Sequence, residues 1–309
     1  MADVTIAIPT FRRPKGLERL LRALEKLETD ANVRVLVADN DAGGREGLET
    51  CARVREQGYR WPLQAVIAAE RGIAQARNTL VERALENPHA QFIAMLDDDE
   101  WPHPKWLDGL LRVQRETNAD ALHGAVVREF DAPPAAWVET CEGVSPMRGQ
   151  SGPAAMIEST ANVLVRRGVF ETMPKPAFDP GFALTGGEDK DFFTRMKERG
   201  FRFAFCDDAV VYAHVPPSRA SLGWALKRAY RVGNSDMRVF LKNRHTAIAT
   251  LHELAKIAGA LLLSPALFVM LAPFPNRRAI GLTKPCRAAG KIAALFGRHY
   301  NEYATVHGG

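Results

Sequence analysis

Paired cysteines are missing from this chain. Its four, Cys51, Cys141, Cys206 and Cys286, stand far apart without a Cys-x-x-Cys spacing, which argues against a disulfide framework or a cysteine zinc site and fits a reducing compartment. No Gly-x-Gly-x-x-Gly follows the first apolar segment and Gly-x-x-x-x-Gly-Lys is absent, so a dinucleotide-binding dehydrogenase and a P-loop phosphate binder are disfavoured. A basic leader is lacking too: Met1 and Asp3 run directly into Val4-Thr5-Ile6-Ala7-Ile8, and the expectation is a chain that stays in the cytoplasm. Charge is absent altogether from Ile257 to Asn276.

That uncharged run lies in a basic tail. From residue 216 onward there are 14 Lys or Arg against 3 Asp or Glu, out of 41 and 36 in the whole chain, which leaves 27 against 33 upstream. The expected division is a mildly acidic body over residues 1–215 and a helical, partly hydrophobic tail over 216–309, with the boundary near Pro216-Pro217. Apolar sequence between Lys256 and Arg277-Arg278 suggests an anionic inner membrane surface as partner. Ser264-Pro265 interrupts the run, so the favoured form is a broken helix pair dipping into the inner leaflet. A single span and an ordinary buried helix pair are the alternatives. Lys284 to Tyr303 reads as a further amphipathic helix. Aromatic and basic residues are not interleaved as a nucleic-acid platform requires, and nothing in the chain speaks to its oligomeric state.

The body alternates apolar strands, Val4–Pro9, Val33–Ala38, Leu63–Ala69 and Gln91–Leu96, with helical patterns starting near Pro14, Arg45 and Gly72. This is the pattern of an α/β fold, a mainly parallel sheet flanked by helices, whose ligands collect at the carboxyl ends of the strands. Those ends are chemically rich. The first is Pro9-Thr10-Phe11-Arg12-Arg13, the second Asp39-Asn40-Asp41, and the third precedes Arg71-Gly72 and a helix bearing Arg77-Asn78. Taken singly, Arg12, Arg13 and Arg77 also suit a plain helix face or surface, and Asp39 a turn. The fourth strand gives out into Asp97-Asp98-Asp99-Glu100. An isolated acidic triplet reads as a solvated turn, but at a strand end clustered acids are best explained by a divalent cation with oxygen ligands, Mg or Mn.

In their order these motifs resemble the inverting nucleotide-sugar glycosyltransferases of family 2, which have the GT-A fold. The likeness rests on Ile8-Pro9-Thr10-Phe11-Arg12-Arg13, Asp39, Arg71 with Gly72 through Asn78, Asp97-Asp98-Asp99 followed by Trp101, Pro104 and Trp106-Leu107, and Gly186-Gly187-Glu188-Asp189-Lys190-Asp191. It covers about the first 215 residues and looks most like bacterial enzymes that build exopolysaccharide or lipid-linked oligosaccharide. The resemblance implies that Pro9, Thr10, Arg13, Asp39, Arg71 and Asp97 line the nucleotide site, that Asp98 holds the ribose, and that Asp99 binds the metal bridging the donor diphosphate. It implies a UDP-sugar donor, a glycan or lipid-linked acceptor and a place on the cytoplasmic face of the inner membrane.

Inverting transfer needs a base on the acceptor side, apart from the metal. Gly186-Gly187-Glu188-Asp189 supplies a second acidic site where paired glycines permit close approach and Asp189 opens a helix. The resemblance makes Asp189 the general base, with Glu188 orienting it; alone, the two acids would simply favour a helix amino terminus. His214, at the end of Ala209–Ala213, is a candidate metal ligand or a structural histidine. Processive synthases of the family carry Gln-x-x-Arg-Trp, which this chain lacks, so one sugar per encounter is expected. Trp101, His103 and Trp106 are sugar-stacking or packing residues, with packing favoured for Trp106, and residues 131–152 read as a loop on the acceptor side. A metal-dependent nucleotidyltransferase and a non-catalytic membrane-bound scaffold of the same fold are the competing readings.

Overall fold

The computed structural model describes residues 1–141, 143–243 and 246–301. Its first strand, β1 (Asp3–Thr10), is buried from Val4 onward on both faces, which is why it reads as a continuous apolar run rather than an alternation. The chain then continues through α1 (Pro14–Leu24), β2 (Asn32–Asp39), α2 (Glu46–Glu56), β3 (Leu63–Ile67), α3 (Ile73–Leu85) and β4 (Phe92–Met95). Strands β1, β2, β3 and β4 pair in parallel, with Thr10 opposite Asp39 and Ala7 opposite Met95. Parallel pairing brings all four carboxyl ends to one edge.

Beyond β4 the sheet turns antiparallel. The chain adds β5 (Glu100–Pro102), α4 (Trp106–Thr117), β6 (Ala121–Phe130), β7 (Gly152–Ala154), β8 (Val163–Arg166), α5 (Arg167–Thr172), α6 (Glu188–Glu198) and β9 (Phe203–Val215). The strand order is β3-β2-β1-β4-β8-β6-β9-β5, with β7 on β9. One face of the sheet presents Ile6, Ile8, Val35 and Val37 to α1 and α4; the other presents Ala7, Leu36 and Ala38 to α3 and α6. The three-and-four spacing of Leu17, Leu20, Leu21 and Leu24 puts all four on the inner stripe of α1, fully buried, each contributing about 2 kcal/mol. Trp106 is fully buried as well, and its Nε1 donates to Asn162 Oδ1 at 2.6 Å, so it anchors α4 and is closed to sugar.

The chain divides into two compact units. Among the described residues, the first comprises 1–127 and 147–213; the second comprises 128–141, 143–146, 214–243 and 246–301. Of the 131–152 stretch expected as a loop on the acceptor side, residues 147–152 belong to the first unit and the described residues before them to the second, where Trp137, Val138, Cys141 and Val144 form a small core with Val215, Ala225 and Ala279. The second unit otherwise consists of α7 (Leu222–Lys242), α8 (Ala247–Leu271) and α9 (Ile280–Leu295). Here α7 and α9 cross at glycines, because a Cβ on Gly233 would fall 2.0 Å from the Arg287 carbonyl oxygen and one on Gly290 1.9 Å from that of Tyr230. Ion pairs Arg287–Asp236 and Lys291–Glu253 join α9 to α7 and α8.

The break expected at Ser264-Pro265 does not occur. Helix α8 runs unbroken through Pro265, with the Ser264 hydroxyl donating to the Ala260 carbonyl one turn back. Only Ile257 and Ser264 of its residues are buried, while Leu262, Leu263, Val269 and Met270 are exposed. The helix is long and apolar enough to cross a membrane, and it is not the core of a buried pair. The amphipathic helix expected over 284–303 is α9, which starts and ends earlier; Tyr303 lies outside the described residues.

Candidate active site

The carboxyl ends of β1, β2 and β4 lie side by side in the sheet, so the three strand-end motifs meet at one edge of the first unit. Asp98 is the centre of the cluster at the acidic turn. Its Oδ2 accepts from Thr10 Oγ1 at 2.8 Å and from the Phe11 amide at 3.4 Å, and its Oδ1 accepts from Arg13 Nη1 at 3.0 Å. The same Arg13 nitrogen donates to Asp99 Oδ2 at 3.1 Å. Burial pushes the Asp98 carboxyl up to about 6, against the pull of Arg13 and with Asp99 adding to the rise. Asp99 is the open member of the group, 34% exposed against 7% for Asp98. Gly16 lets α1 approach this turn, since a Cβ there would meet the Asp98 carbonyl oxygen at 2.5 Å.

Asp39 and Pro9 sit behind this surface. Asp39 is fully buried, and its carboxylate accepts from the amides of Asp41 (2.9 Å), Gly47 (2.9 Å) and Leu48 (3.3 Å), which satisfies donors at the start of α2. Pro9 is buried in register with Ala38. Asn40 does what its sequence position does not announce: its amide donates to the carbonyls of Ala68 and Glu70 and accepts from Gly72, tying the second strand end to the third. At the mouth, Phe11 lies against two guanidiniums, Arg12 at 5.0 Å and Arg71 at 5.1 Å from its ring centre. The Trp101 ring is taken up by Arg19, 3.9 Å above it, and by Tyr212, stacked at 6.1 Å.

The second acidic site is carried by a loop clipped along α3. The Asn78 amide bonds the Phe178 main chain in both directions, at 2.7 and 2.9 Å, and the Ile73 amide donates to the Ala183 carbonyl at 3.1 Å. Gly72 makes this approach possible: its φ is +144°, and a Cβ would lie 2.6 Å from that of Ala183. The loop ends in Gly186 (φ +73°) and Gly187 (φ +99°), whose left-handed backbone turns Glu188 inward at the first position of α6. Asp189 stays partly exposed, and Asp191, fully buried, pairs with Arg195 at 2.8 Å and keeps α6 in place.

Arg77 joins the two sites. It is 5% exposed on the inner stripe of α3, where Nη1 donates to Glu188 Oε1 and Nη2 donates to Asp97 Oδ1 at 3.1 Å. Burial pushes Glu188 up to about 7; Arg77 opposes the rise, while Asp189 and Asp97 add to it. The signal was present in the sequence, because Arg77 falls three residues from Ala74 and from Leu80, a charge on a stripe otherwise uncharged. Glu100, the last acid of the run, faces inward rather than toward a ligand: it is buried, and its Oε2 accepts from the Asp97 amide at 3.1 Å, closing the acidic turn. Thr10, Arg13, Asp97, Asp98, Asp99 and Glu188 are thus brought into one network. His214 belongs to the second unit, where its Nε2 meets Asp131 Oδ1 at 2.8 Å.

The family model for glycosyl transferase family 2 matches residues 5–173. The succinoglycan biosynthesis protein ExoM of Rhizobium meliloti is 33% identical over 248 residues, covering 78% of this chain and 76% of its own. The glycosyltransferase AglE of Haloferax volcanii is 28% identical over 245 residues, covering 78% and 75%. Among solved structures, the mannosyltransferase PcManGT from Pyrobaculum calidifontis, in complex with GDP-Man and Mn2+, superposes with a TM-score of 0.65 at 17% identity over 96% of this chain and 88% of that one. The expected GT-A architecture is borne out by that likeness of fold. With more than half of its length under one family model and a third of its aligned positions shared with ExoM, this chain belongs to glycosyl transferase family 2.

Proposed function

We propose that this glycosyltransferase moves one sugar from a nucleotide-diphosphate donor, a UDP-sugar, to a hydroxyl of a glycan or lipid-linked acceptor with inversion, in the assembly of an exported polysaccharide. The observation that carries the reading is the pair of acidic sites at one sheet edge, Asp97–Asp99 and Glu188–Asp189, held together through Arg77. The relationship to a succinoglycan biosynthesis protein supports the polysaccharide context.

In this reading Thr10, Arg13 and Arg71 hold the nucleotide, Asp98 accepts from the ribose, and Asp39 sets the floor of the base site by fixing the start of α2. Asp189 is the general base, removing the acceptor proton on the face away from the leaving diphosphate. Its partial exposure suits a group that must meet an incoming hydroxyl, while Glu188 behind it is closed to solvent. The donor set fits a hard divalent cation: Asp99, paired with Arg13 through Oδ2, is 34% exposed, and Mg2+ or Mn2+ held by one carboxylate would complete its shell with water and phosphate oxygens. Among the described residues no group of three or more His, Cys, Asp or Glu is placed to hold a metal ion by itself, so most of the ion's ligands would come from the donor and from water. Such an ion, when bound, offsets charge developing on the departing diphosphate.

The first unit carries the transfer, and the second holds it to the cytoplasmic face of the membrane through α8 and the flanking cations. Lack of the Gln-x-x-Arg-Trp element supports a single addition followed by release. Calorimetric titration with UDP and GDP, each with and without Mn2+, tests the donor side; the expected outcome is metal-dependent binding of UDP. Asp189→Asn tests the base: transfer is abolished and UDP binding is kept, and transfer surviving in this variant removes the assignment.

A further inference from the structure

A buried arginine is an expensive way to hold two loops together. A guanidinium and two carboxylates must all be taken out of water, and apolar side chains of similar volume generally serve stability as well or better. Arg77 is such a group, 5% exposed, the one charged residue among the buried positions of α3, which are otherwise Ala74, Ala76, Asn78, Leu80, Val81 and Ala84. Stability therefore does not account for it, and its contacts point elsewhere. The two terminal nitrogens diverge, one to Asp97 of the metal loop and the other to Glu188, the residue before the proposed base.

Neighbouring positions of α3 already pin the rest of the loop by neutral bonds, Ile73 to Ala183 and Asn78 to Phe178. Beyond Ala183 the chain runs through Gly186 and Gly187, both left-handed, so the last stretch before the base has least intrinsic preference for one path. Glu188 Oε2 is buried with no hydrogen-bond partner, which leaves its bond to Arg77 through Oε1 as its side-chain tether among the described residues.

We propose that Arg77 is a positioning residue that clamps the donor loop at Asp97 to the base loop at Glu188, setting where Asp189 stands relative to the metal-bearing Asp99. The inference rests on the assignment of Asp189 as base and Asp99 as metal ligand. It acts through geometry: a planar fork engages two carboxylates at once in fixed directions, whereas an ammonium of the same charge has a single nitrogen. Misplacement of a catalytic group by about 1 Å is enough to cost on the order of 100-fold in rate.

The test uses the full chain in detergent or vesicles, with Arg77→Ala, Arg77→Lys and Asp189→Asn, each measured for UDP binding with Mn2+ and for steady-state transfer. For Arg77→Ala we expect kcat to fall about 100-fold, with the UDP Kd and donor KM within about threefold of the unaltered protein. Added guanidinium or methylguanidinium should recover at least about tenfold of the loss, since the vacated cavity accepts the same fork. Arg77→Lys should stay impaired and gain nothing from the additive. The clamp is overturned if kcat is retained in either Arg77 variant, or if the loss appears equally in UDP binding and is not rescued. Should Arg77→Ala fail to fold, Arg77→Lys decides alone: full kcat overturns the proposal, and low kcat with intact UDP binding sustains it. Transfer surviving in Asp189→Asn means the base assignment has failed, whereas an inactive Asp189→Asn beside a fully active Arg77 variant means only the clamp has.

Discussion

Glu188 should make the fold less stable as the solution approaches neutrality. Burial raises its carboxyl from 4.5 to about 7 in the folded protein, so folding favours the protonated form. The stabilisation is fully present below the unfolded value and is lost as pH rises through the folded one. With the two values taken as 4.5 and about 7, the loss is about 3 kcal/mol at roughly 1.4 kcal/mol per unit. Replacing Glu188 by Gln removes the titration while keeping the side-chain shape and a carbonyl oxygen to face Arg77. Urea unfolding of both proteins in metal-free buffer, at intervals between about pH 4.5 and about pH 8, reads the difference directly. The stability of Glu188→Gln relative to the unaltered chain should climb by about 3 kcal/mol across that range. Parallel pH profiles, or a gap that narrows toward neutral pH, would refute the reasoning, for then the Arg77 contact outweighs burial. The expected pattern is that of an active site bought with stability.

Three further outcomes are expected. Gly72→Ala places a methyl 2.6 Å from the Ala183 Cβ at a φ of +144°, and should lower the unfolding free energy by about 2–4 kcal/mol in chemical denaturation. Asp99→Asn should weaken Mn2+-dependent UDP binding by at least about tenfold in calorimetry while leaving metal-independent binding unchanged. Leu262→Glu with Val269→Glu, at positions 78% and 72% exposed on α8, should reduce flotation with anionic vesicles on the order of 100-fold or more; undiminished flotation would mean that another surface makes the contact.

Much of the site was legible because its elements are local. Strand ends marked by Thr10, Asp39 and Asp97 follow from apolar runs that stop, and the sheet edge where they gather follows from the alternation of strands and helices. The antiparallel half was less legible, since β5, β7 and β8 are three or four residues long and too short to show a period. Asp39 looked like a ligand-facing acid; the fold spends its carboxylate on the amides that open α2. In α8, Pro265 looked like a break, yet the helix continues through it, with the Ser264 hydroxyl bonded back to the Ala260 carbonyl.

The sequence by itself determined the class of fold, the two acidic motifs and the uncharged stretch of the tail, because periodicity, strand-end chemistry and charge-free length are properties of neighbouring residues. Only the tertiary structure decided that Arg77 serves Asp97 and Glu188 together, that Asn40 ties two strand ends, and that residues 130–141 and 143–146 join the second unit. The physical reason is that a buried polar group takes its partner from whatever the fold brings within about 3 Å, and that neighbour can come from any distance along the chain.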